Sequence, residues 1–197
     1  MEHYFSEKQS SKLSPSKIQE KIKNIKLEFC TAKGVFSKRR IDLGTRILIE
    51  NCIIKPNWKI LDLGCGIGAI GISIKKLYPE TKVTMADINE RAVTLAKRNI
   101  KLNDVEAIKI IKSDLYKNIN QTFDCILSNP PLAAGRAICY GIIELAPKFL
   151  NRNGCLQIVA RHKKGGAELE KKMIAVFGNA KQIAKKSGYR VYLSIIK

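Results

Sequence analysis

From Lys59 onward, short and almost wholly apolar runs alternate with amphipathic stretches, and this alternation leaves few folds open to the chain. The runs are Lys59–Leu63, Lys82–Ala86, Ala107–Ile111, Phe123–Leu127 and Cys155–Val159; the amphipathic stretches are Ala69–Leu77, Glu90–Asn103, Ala137–Leu150 and Ala167–Phe177. Runs this apolar belong to strands buried on both faces, as in a parallel sheet. Within 90–103, Val93, Ala96 and Ile100 share one helical stripe, as a helix packed on a sheet requires. Strands and helices in strict alternation predict a doubly wound α/β fold with a mostly parallel sheet. The tail departs from the pattern. Lys181–Lys185 and Arg190–Ile196 flank Ser187-Gly188 and read as an antiparallel hairpin closing one edge, which brings the sheet to seven strands.

Upstream of Lys59 the signals are weaker. The stretch to about Lys17 is polar and reads as an extended arm, and Ile22, Ile25, Leu27 and Phe29 suggest an edge strand over 22–29 that Gly34 interrupts. Asp42 to Ile53 fits a short helix with Leu43, Ile47 and Leu48 on one side. The expected organisation is an N-terminal arm with a small β extension over 1–40, then the main domain over 41–197.

The main domain's strongest local signal joins its first strand to its first helix: Leu61-Asp62-Leu63-Gly64-Cys65-Gly66-Ile67-Gly68-Ala69-Ile70-Gly71. Gly64 and Gly66 let the backbone approach a ligand, and Gly68 lets the helix pack closely on the strand. Asp87 ends the second strand, 23 residues after Gly64, where a carboxylate accepts hydrogen bonds from ribose hydroxyls, with Ile88 beside it. Its competing role is a helix cap before Glu90. Asp114, in Ser113-Asp114-Leu115, stands where the next strand ends and suits an adenine amino group, or simply a turn. A dinucleotide and S-adenosylmethionine both fit a nucleoside site of this kind. Asp62 disfavours the first, because it sits near the position of a pyrophosphate, whereas a zwitterionic methionine tail tolerates a nearby carboxylate.

The fourth strand ends in Ser128-Asn129-Pro130-Pro131-Leu132. Two prolines stop a strand and fix a rigid corner at the carboxyl edge, where open α/β sheets bind ligands. The exocyclic amine of an aromatic ring is a poor nucleophile because its lone pair is delocalised. Hydrogen bonds from such an amine to the Asn129 side-chain carbonyl and the Pro130 backbone carbonyl restore pyramidal character, so the chemistry here is positioning and electrostatics.

Taken together, these residues resemble the Rossmann-like methyltransferases that modify amino nitrogens. The closer resemblance is to the small-domain family typified by bacterial small-subunit ribosomal RNA guanine methyltransferases and their single-domain archaeal relatives. The upstream strings Tyr4-Phe5-Ser6, Gly34-Val35-Phe36-Ser37 and Asp42-Leu43-Gly44-Thr45 are similar to a family segment that covers the cofactor. The resemblance implies that Asp62, Gly64, Cys65, Gly66 and Gly68 face the methionine part of S-adenosyl-L-methionine. It assigns Asp87 and Ile88 to the ribose, Asp114 and Leu115 to the adenine, and Asn129, Pro130 and Pro131 to the target amine. Many relatives carry an aromatic residue after the two prolines to stack on the base; here Leu132 stands there, and Phe36 is the alternative partner. The bacterial members also carry a second, degenerate copy of the domain.

Charge supplies a partner. Lys and Arg total 36 against 17 acidic residues, a net +19, well beyond the ~2 to 8 that keeps a small domain soluble. A polyanion such as RNA accounts for it. Lys38-Arg39-Arg40, Arg136 and Arg161-His162-Lys163-Lys164 are expected to ring the carboxyl edge and hold phosphates while a base is flipped in. The expected substrate is guanine ahead of adenine, in ribosomal RNA ahead of transfer RNA. A glutamine-amide methyltransferase acting on protein and a non-catalytic nucleic-acid-binding module are the alternatives. Six scattered cysteines without a CxxC pair argue against a metal and for a reducing compartment. With no apolar stretch long enough to span a bilayer and a polar opening to the chain, a cytoplasmic location is expected.

Overall fold

A computed structural model describes residues 15–32, 34–35 and 40–197. Phe36, Arg39, Lys38 and the Tyr4-Phe5-Ser6 string lie outside the described residues. The main sheet is built from β3 (Lys59–Leu63), β4 (Lys82–Asp87), β5 (Ile108–Lys112), β6 (Phe123–Ser128), β7 (Leu150–Arg161), β8 (Lys181–Lys186) and β9 (Tyr189–Ile195). Its order is β5-β4-β3-β6-β7-β9-β8. The first five of these strands in the chain are parallel, and β9 pairs antiparallel with both β7 and β8. This is the seven-stranded Rossmann-like sheet with a C-terminal antiparallel edge that the alternation predicts.

The inner strands bury both faces, so neighbouring residues supply two different cores, while the edge strands β5 and β8 are only partly covered. Ile60, Val83, Cys125 and Leu127 face the core formed with α1 (Leu43–Asn51), α2 (Ala69–Leu77) and α3 (Glu90–Leu102). Leu61, Ala86, Ile126 and Leu156 face the opposite core, formed with α4 (Arg136–Leu145) and α5 (Gly166–Phe177). The two-residue period of a strand divides the apolar run between these cores. The six cysteines are free and buried. No helix among the described residues is long and apolar enough to cross a membrane.

Three elements differ from expectation. The single edge strand expected over 22–29 spans a turn: β1 (Ser16–Ile22) and β2 (Ile25–Thr31) pair antiparallel in a sheet of their own. The turn at Lys23-Asn24, with Lys23 at φ 50°, contains none of the Gly or Pro that usually marks a hairpin. The helix over 137–150 stops at Leu145 and continues as a 3-10 turn over Ala146–Phe149, because Pro147 lacks the N–H that would bond the carbonyl four residues back. Finally, β7 runs to Arg161, since β9 pairs with it along Cys155–Arg161.

The hairpin is fastened to the main domain by two asparagines about one turn apart, Asn99 on α3 and Asn103 at its C-cap. Asn99 accepts from the Cys30 N–H at 2.6 Å and donates to the Cys30 carbonyl at 3.0 Å. Asn103 does the same for Glu28, at 3.0 and 2.6 Å. The two amides thereby satisfy alternate backbone groups along one edge of β2, as a neighbouring strand would. Asn99 donates a further bond of 2.9 Å to the Ile67 carbonyl, tying the hairpin to the glycine turn.

Candidate active site

In this sheet β3 lies between β4 and β6, so successive strands go first to one side and then to the other. Such a reversal opens a crevice at the carboxyl ends of the strands. The register pairs Asp62 with Leu127, which places Gly64 and Asn129 each two residues beyond a paired position on neighbouring strands. The Ser128 hydroxyl donates 2.8 Å to the Leu63 carbonyl and locks the two strand ends together. Along the sheet order β5, β4, β3, β6 stand Asp114, Asp87, Gly64 and Asn129, spanning about 14 Å at the spacing of neighbouring strands.

One cavity joins them. Gly64, Cys65, Gly66, Asp87, Ile88, Asp114, Leu115, Asn129, Pro130 and Pro131 all line it, and Val35, Ile41, Thr45, Ile138 and Ile142 add walls from flanking segments. Gly64 and Gly66 have φ of 74° and 55°, and a Cβ on either would point into open space. The turn is thus a bare backbone surface. Gly64 and Cys65 both donate to the Ala86 carbonyl, at 2.9 and 3.0 Å, which ties the turn to β4.

Asp87 Oδ2 accepts from the Gly66 N–H at 2.7 Å and Oδ1 from the Asn89 N–H at 2.9 Å. Burial pushes its carboxyl above the usual range, against the pull of these N–H groups. The helix-cap role is filled by Asn89, whose side chain accepts from the Arg91 and Ala92 N–H groups. Asp114 pairs with Lys117 at 2.6 Å, and Leu115 beside it adopts φ 48°. Ser113 braces this corner by donating to the Leu115 carbonyl and accepting from the Asn118 N–H.

Asn129 is oriented from one side. Its Nδ2 donates to Thr45 Oγ1 at 2.9 Å and to Asp42 Oδ2 at 3.2 Å, leaving Oδ1 without a hydrogen-bond partner among the described residues. The Pro130 carbonyl accepts from the Leu132 N–H at 2.9 Å across an inverse γ-turn at Pro131, φ −76° and ψ 80°. One of its two lone pairs is therefore engaged.

Several expected residues stand elsewhere. Asp62 is fully buried beneath the turn; Oδ2 accepts from the Gly71 N–H at 2.9 Å and Oδ1 has no partner among the described residues. Burial, with Asp87 nearby, pushes its carboxyl up to about 7. Gly68 caps α2 against Ile72 and Met85 and is not on the cavity wall. Burial and the two carboxylates push the Cys65 thiol well up, so it is not a thiolate nucleophile. Leu132 packs against the core under α4. Arg40, Arg136, Arg161, Lys163 and Lys164 are exposed, and Arg161 lies 4.9 Å over the Tyr189 ring. His162, half-buried among these cations, hydrogen-bonds the Tyr192 hydroxyl at 2.9 Å.

Comparison with known proteins adds a family to this geometry. The methyltransferase small domain matches residues 26–193.

The chain belongs to the methyltransferase small domain family.

An uncharacterized Bacillus subtilis protein, YbxB, is 37% identical over 194 residues, covering 96% of each chain. Ribosomal RNA small subunit methyltransferase C of Actinobacillus pleuropneumoniae is 37% identical over 165 residues, 81% of this chain and 49% of that protein. A T. thermophilus 16S rRNA N2 G1207 methyltransferase, solved with AdoMet and guanosine, superposes with a TM-score of 0.78 at 19% identity, over 95% of this chain and 51% of that one. The chain thus spans about half the length of these named methyltransferases. The Bacillus relative matches it nearly end to end, so that bacterial member has no room for a second copy of the domain.

For this member of the family, the sequence carried no direct sign that Thr45, Ile138 and Ile142 line the cavity. Asp42 and Thr45 stood in a recognised string, but nothing in the sequence ties them to Asn129, 87 and 84 residues away. The signal available was the helix start itself: Asp42 at the N-cap leaves Thr45 in the first turn.

Proposed function

We propose that this domain methylates the exocyclic amine of guanine in RNA, small-subunit ribosomal RNA ahead of transfer RNA, with S-adenosyl-L-methionine as donor. The observation that carries the reading is the unpartnered Asn129 Oδ1, at a strand end adjacent to the bare Gly64–Gly66 backbone. The cavity fits the donor by its chemistry: an open backbone turn, a carboxylate at the end of β4, and an apolar lining from Val35, Ile41 and Ile88.

In this reading Gly64, Cys65 and Gly66 bound the methionine part, Asp87 and Ile88 take the ribose, and Asp114 with Leu115 meets the adenine. Asp62 and Gly68 support the turn from behind. The cofactor supplies an electrophilic methyl group on a sulfonium. Asn129 Oδ1 accepts one N–H of the guanine amine, and the free lone pair of the Pro130 carbonyl accepts the other. This grip draws the nitrogen lone pair out of conjugation with the ring and aims it along the sheet toward the glycine turn. Alignment of the two partners replaces a strong general base. Leu132, set back from the wall, leaves Pro131 and Ile138 beside the base, and Phe36 is the proposed stacking partner. Arg40, Arg136, Arg161, Lys163 and Lys164 hold phosphates around the opening, with Arg39 as a further contact.

The test is incubation of the protein with labelled S-adenosylmethionine and total RNA from cells lacking the gene, followed by nucleoside analysis. The expected product is a guanosine methylated on its exocyclic amine, abolished by prior ribonuclease treatment. The same incubation with a ribonuclease-treated cell lysate, if it labels a protein, would replace this reading with glutamine-amide methylation.

A further inference from the structure

We infer that Asp42 and Thr45 are positioning residues that fix the Asn129 amide in the one orientation presenting its oxygen to the acceptor amine. The inference rests on the reading of Asn129 given above, but the arrangement stands on its own geometry. Both Nδ2 hydrogens of Asn129 have a partner, Thr45 Oγ1 at 2.9 Å and Asp42 Oδ2 at 3.2 Å. Thr45 is almost wholly buried. Turning the amide by half a rotation would set Oδ1 against a carboxylate oxygen, an acceptor against an acceptor, and expose the NH2 group to the acceptor amine. A carboxylate accepts only, whereas a hydroxyl serves either way. Asp42 therefore selects the orientation and Thr45 reinforces it. A charged acceptor on Nδ2 also polarises the amide and makes Oδ1 a stronger acceptor.

The frame that carries the two residues is itself fixed. The same Asp42 Oδ2 caps α1, accepting from the Gly44 N–H at 2.8 Å and the Thr45 N–H at 3.3 Å. Gly44 between them has no room for a side chain: a Cβ would stand 2.7 Å from the Tyr189 ring and 2.9 Å from Asp42 Oδ2. Glu20 of β1 accepts from the Ile41 N–H at 2.7 Å and pairs with Arg46 at 2.5 Å, so the start of α1 is held from the hairpin as well.

The experiment compares wild type with Thr45→Val, Thr45→Ser and Asp42→Ser. Serine is as good an N-cap as aspartate, and its hydroxyl donates as well as accepts, so Asp42→Ser leaves α1 capped while allowing the Asn129 amide to turn. Expected are kcat losses of about ten- to a hundredfold for Asp42→Ser, the scale of misplacing a reacting group, with a smaller loss for Thr45→Val that Thr45→Ser largely restores. The loss falls on kcat more than on the cofactor and RNA dissociation constants. A second readout needs no turnover: the side-chain NH2 resonances of Asn129, identified by their disappearance in Asn129→Ala, shift in Thr45→Val and Asp42→Ser and return in Thr45→Ser. Wild-type kcat in both variants overturns the inference, as do unmoved resonances. A wild-type protein that methylates no RNA, with the resonances responding as expected, overturns the proposed function instead and leaves the orienting role standing.

Discussion

Asp87 Oδ2 accepts a hydrogen bond of 2.7 Å from the Gly66 N–H, so the acid at the end of β4 and the turn after β3 form one unit. On the proposed reading its substitution acts twice, by removing an acceptor for the ribose and by freeing the backbone that bounds the cavity. Asp87→Ala is expected to weaken S-adenosylmethionine binding roughly ten- to a hundredfold, the worth of one charge-assisted hydrogen bond. Titration calorimetry measures it directly, and an unchanged dissociation constant would remove Asp87 from the site.

Asn129→Ala removes the acceptor oxygen while leaving the glycine turn and Asp87 in place. Cofactor affinity should hold, and turnover on RNA should fall on the order of a hundredfold or more, comparable to losing one preorganised hydrogen-bond partner. Single-turnover kinetics with saturating RNA separates this from a binding defect. Full activity would mean that the amine is gripped elsewhere.

Asp62 gives a pH-dependent signature. Its carboxyl titrates near about 7 in the fold against an ordinary 3.8, so between these values the folded chain keeps a proton that the unfolded chain has released. The stability tied to this group is complete below its unfolded pKa and is lost as pH climbs through about 7. Asp62→Asn retains an acceptor for the Gly71 N–H but cannot ionise. The stability of wild type relative to this variant should fall across that window by about 3 to 5 kcal/mol at about 1.36 kcal/mol per pH unit. Denaturant unfolding at a series of pH values reads it, and a flat difference would show that the raised carboxyl is absent.

The exposed Arg136, Lys163 and Lys164 predict a salt dependence. Log affinity for RNA should fall linearly with log salt, and each cation removed from a phosphate should make that line shallower by about 0.7 to 0.9. Fluorescence titration of RNA at several salt concentrations, with Arg136→Ala and with Lys163→Ala/Lys164→Ala, checks it. Variants that keep the wild-type slope would place the RNA on another face.

Asn99 makes three buried hydrogen bonds that reach both the hairpin and the glycine turn. Asn99→Ala leaves the Cys30 and Ile67 groups unsatisfied and should cost about 2 to 4 kcal/mol of stability, measured by urea unfolding. A loss under about 0.5 kcal/mol, the range of an ordinary surface change, would mean that these groups find other partners.

The sheet was legible from Lys59 onward because strands buried on both faces are written as uninterrupted apolar runs, and β3 and α2 fall at the expected residues. The cavity was legible wherever it is made from strand ends, since Gly64, Asp87, Asp114 and Asn129 each stand within three residues of the end of such a run. The hairpin was not, because its turn at Lys23-Asn24 carries neither Gly nor Pro and a lone Asn in a Lys-rich stretch is a weak signal. Nor were Ile138 and Ile142, which read as ordinary core residues of a helix until α4 is seen to pass over the cavity. Asp62 illustrates a different limit: its spacing placed it near the ligand, but only the packing of α2 on β4 shows that it lies beneath the turn with one oxygen unmatched.

Tyr189, at the start of β9, fills the space that a side chain on Gly44 would take, so the helix end that steers Asn129 leans on the last strand of the sheet. The ring at position 189 is thus a mechanical stop for α1, and trimming it would loosen the Asn129 corner from a place outside the cavity.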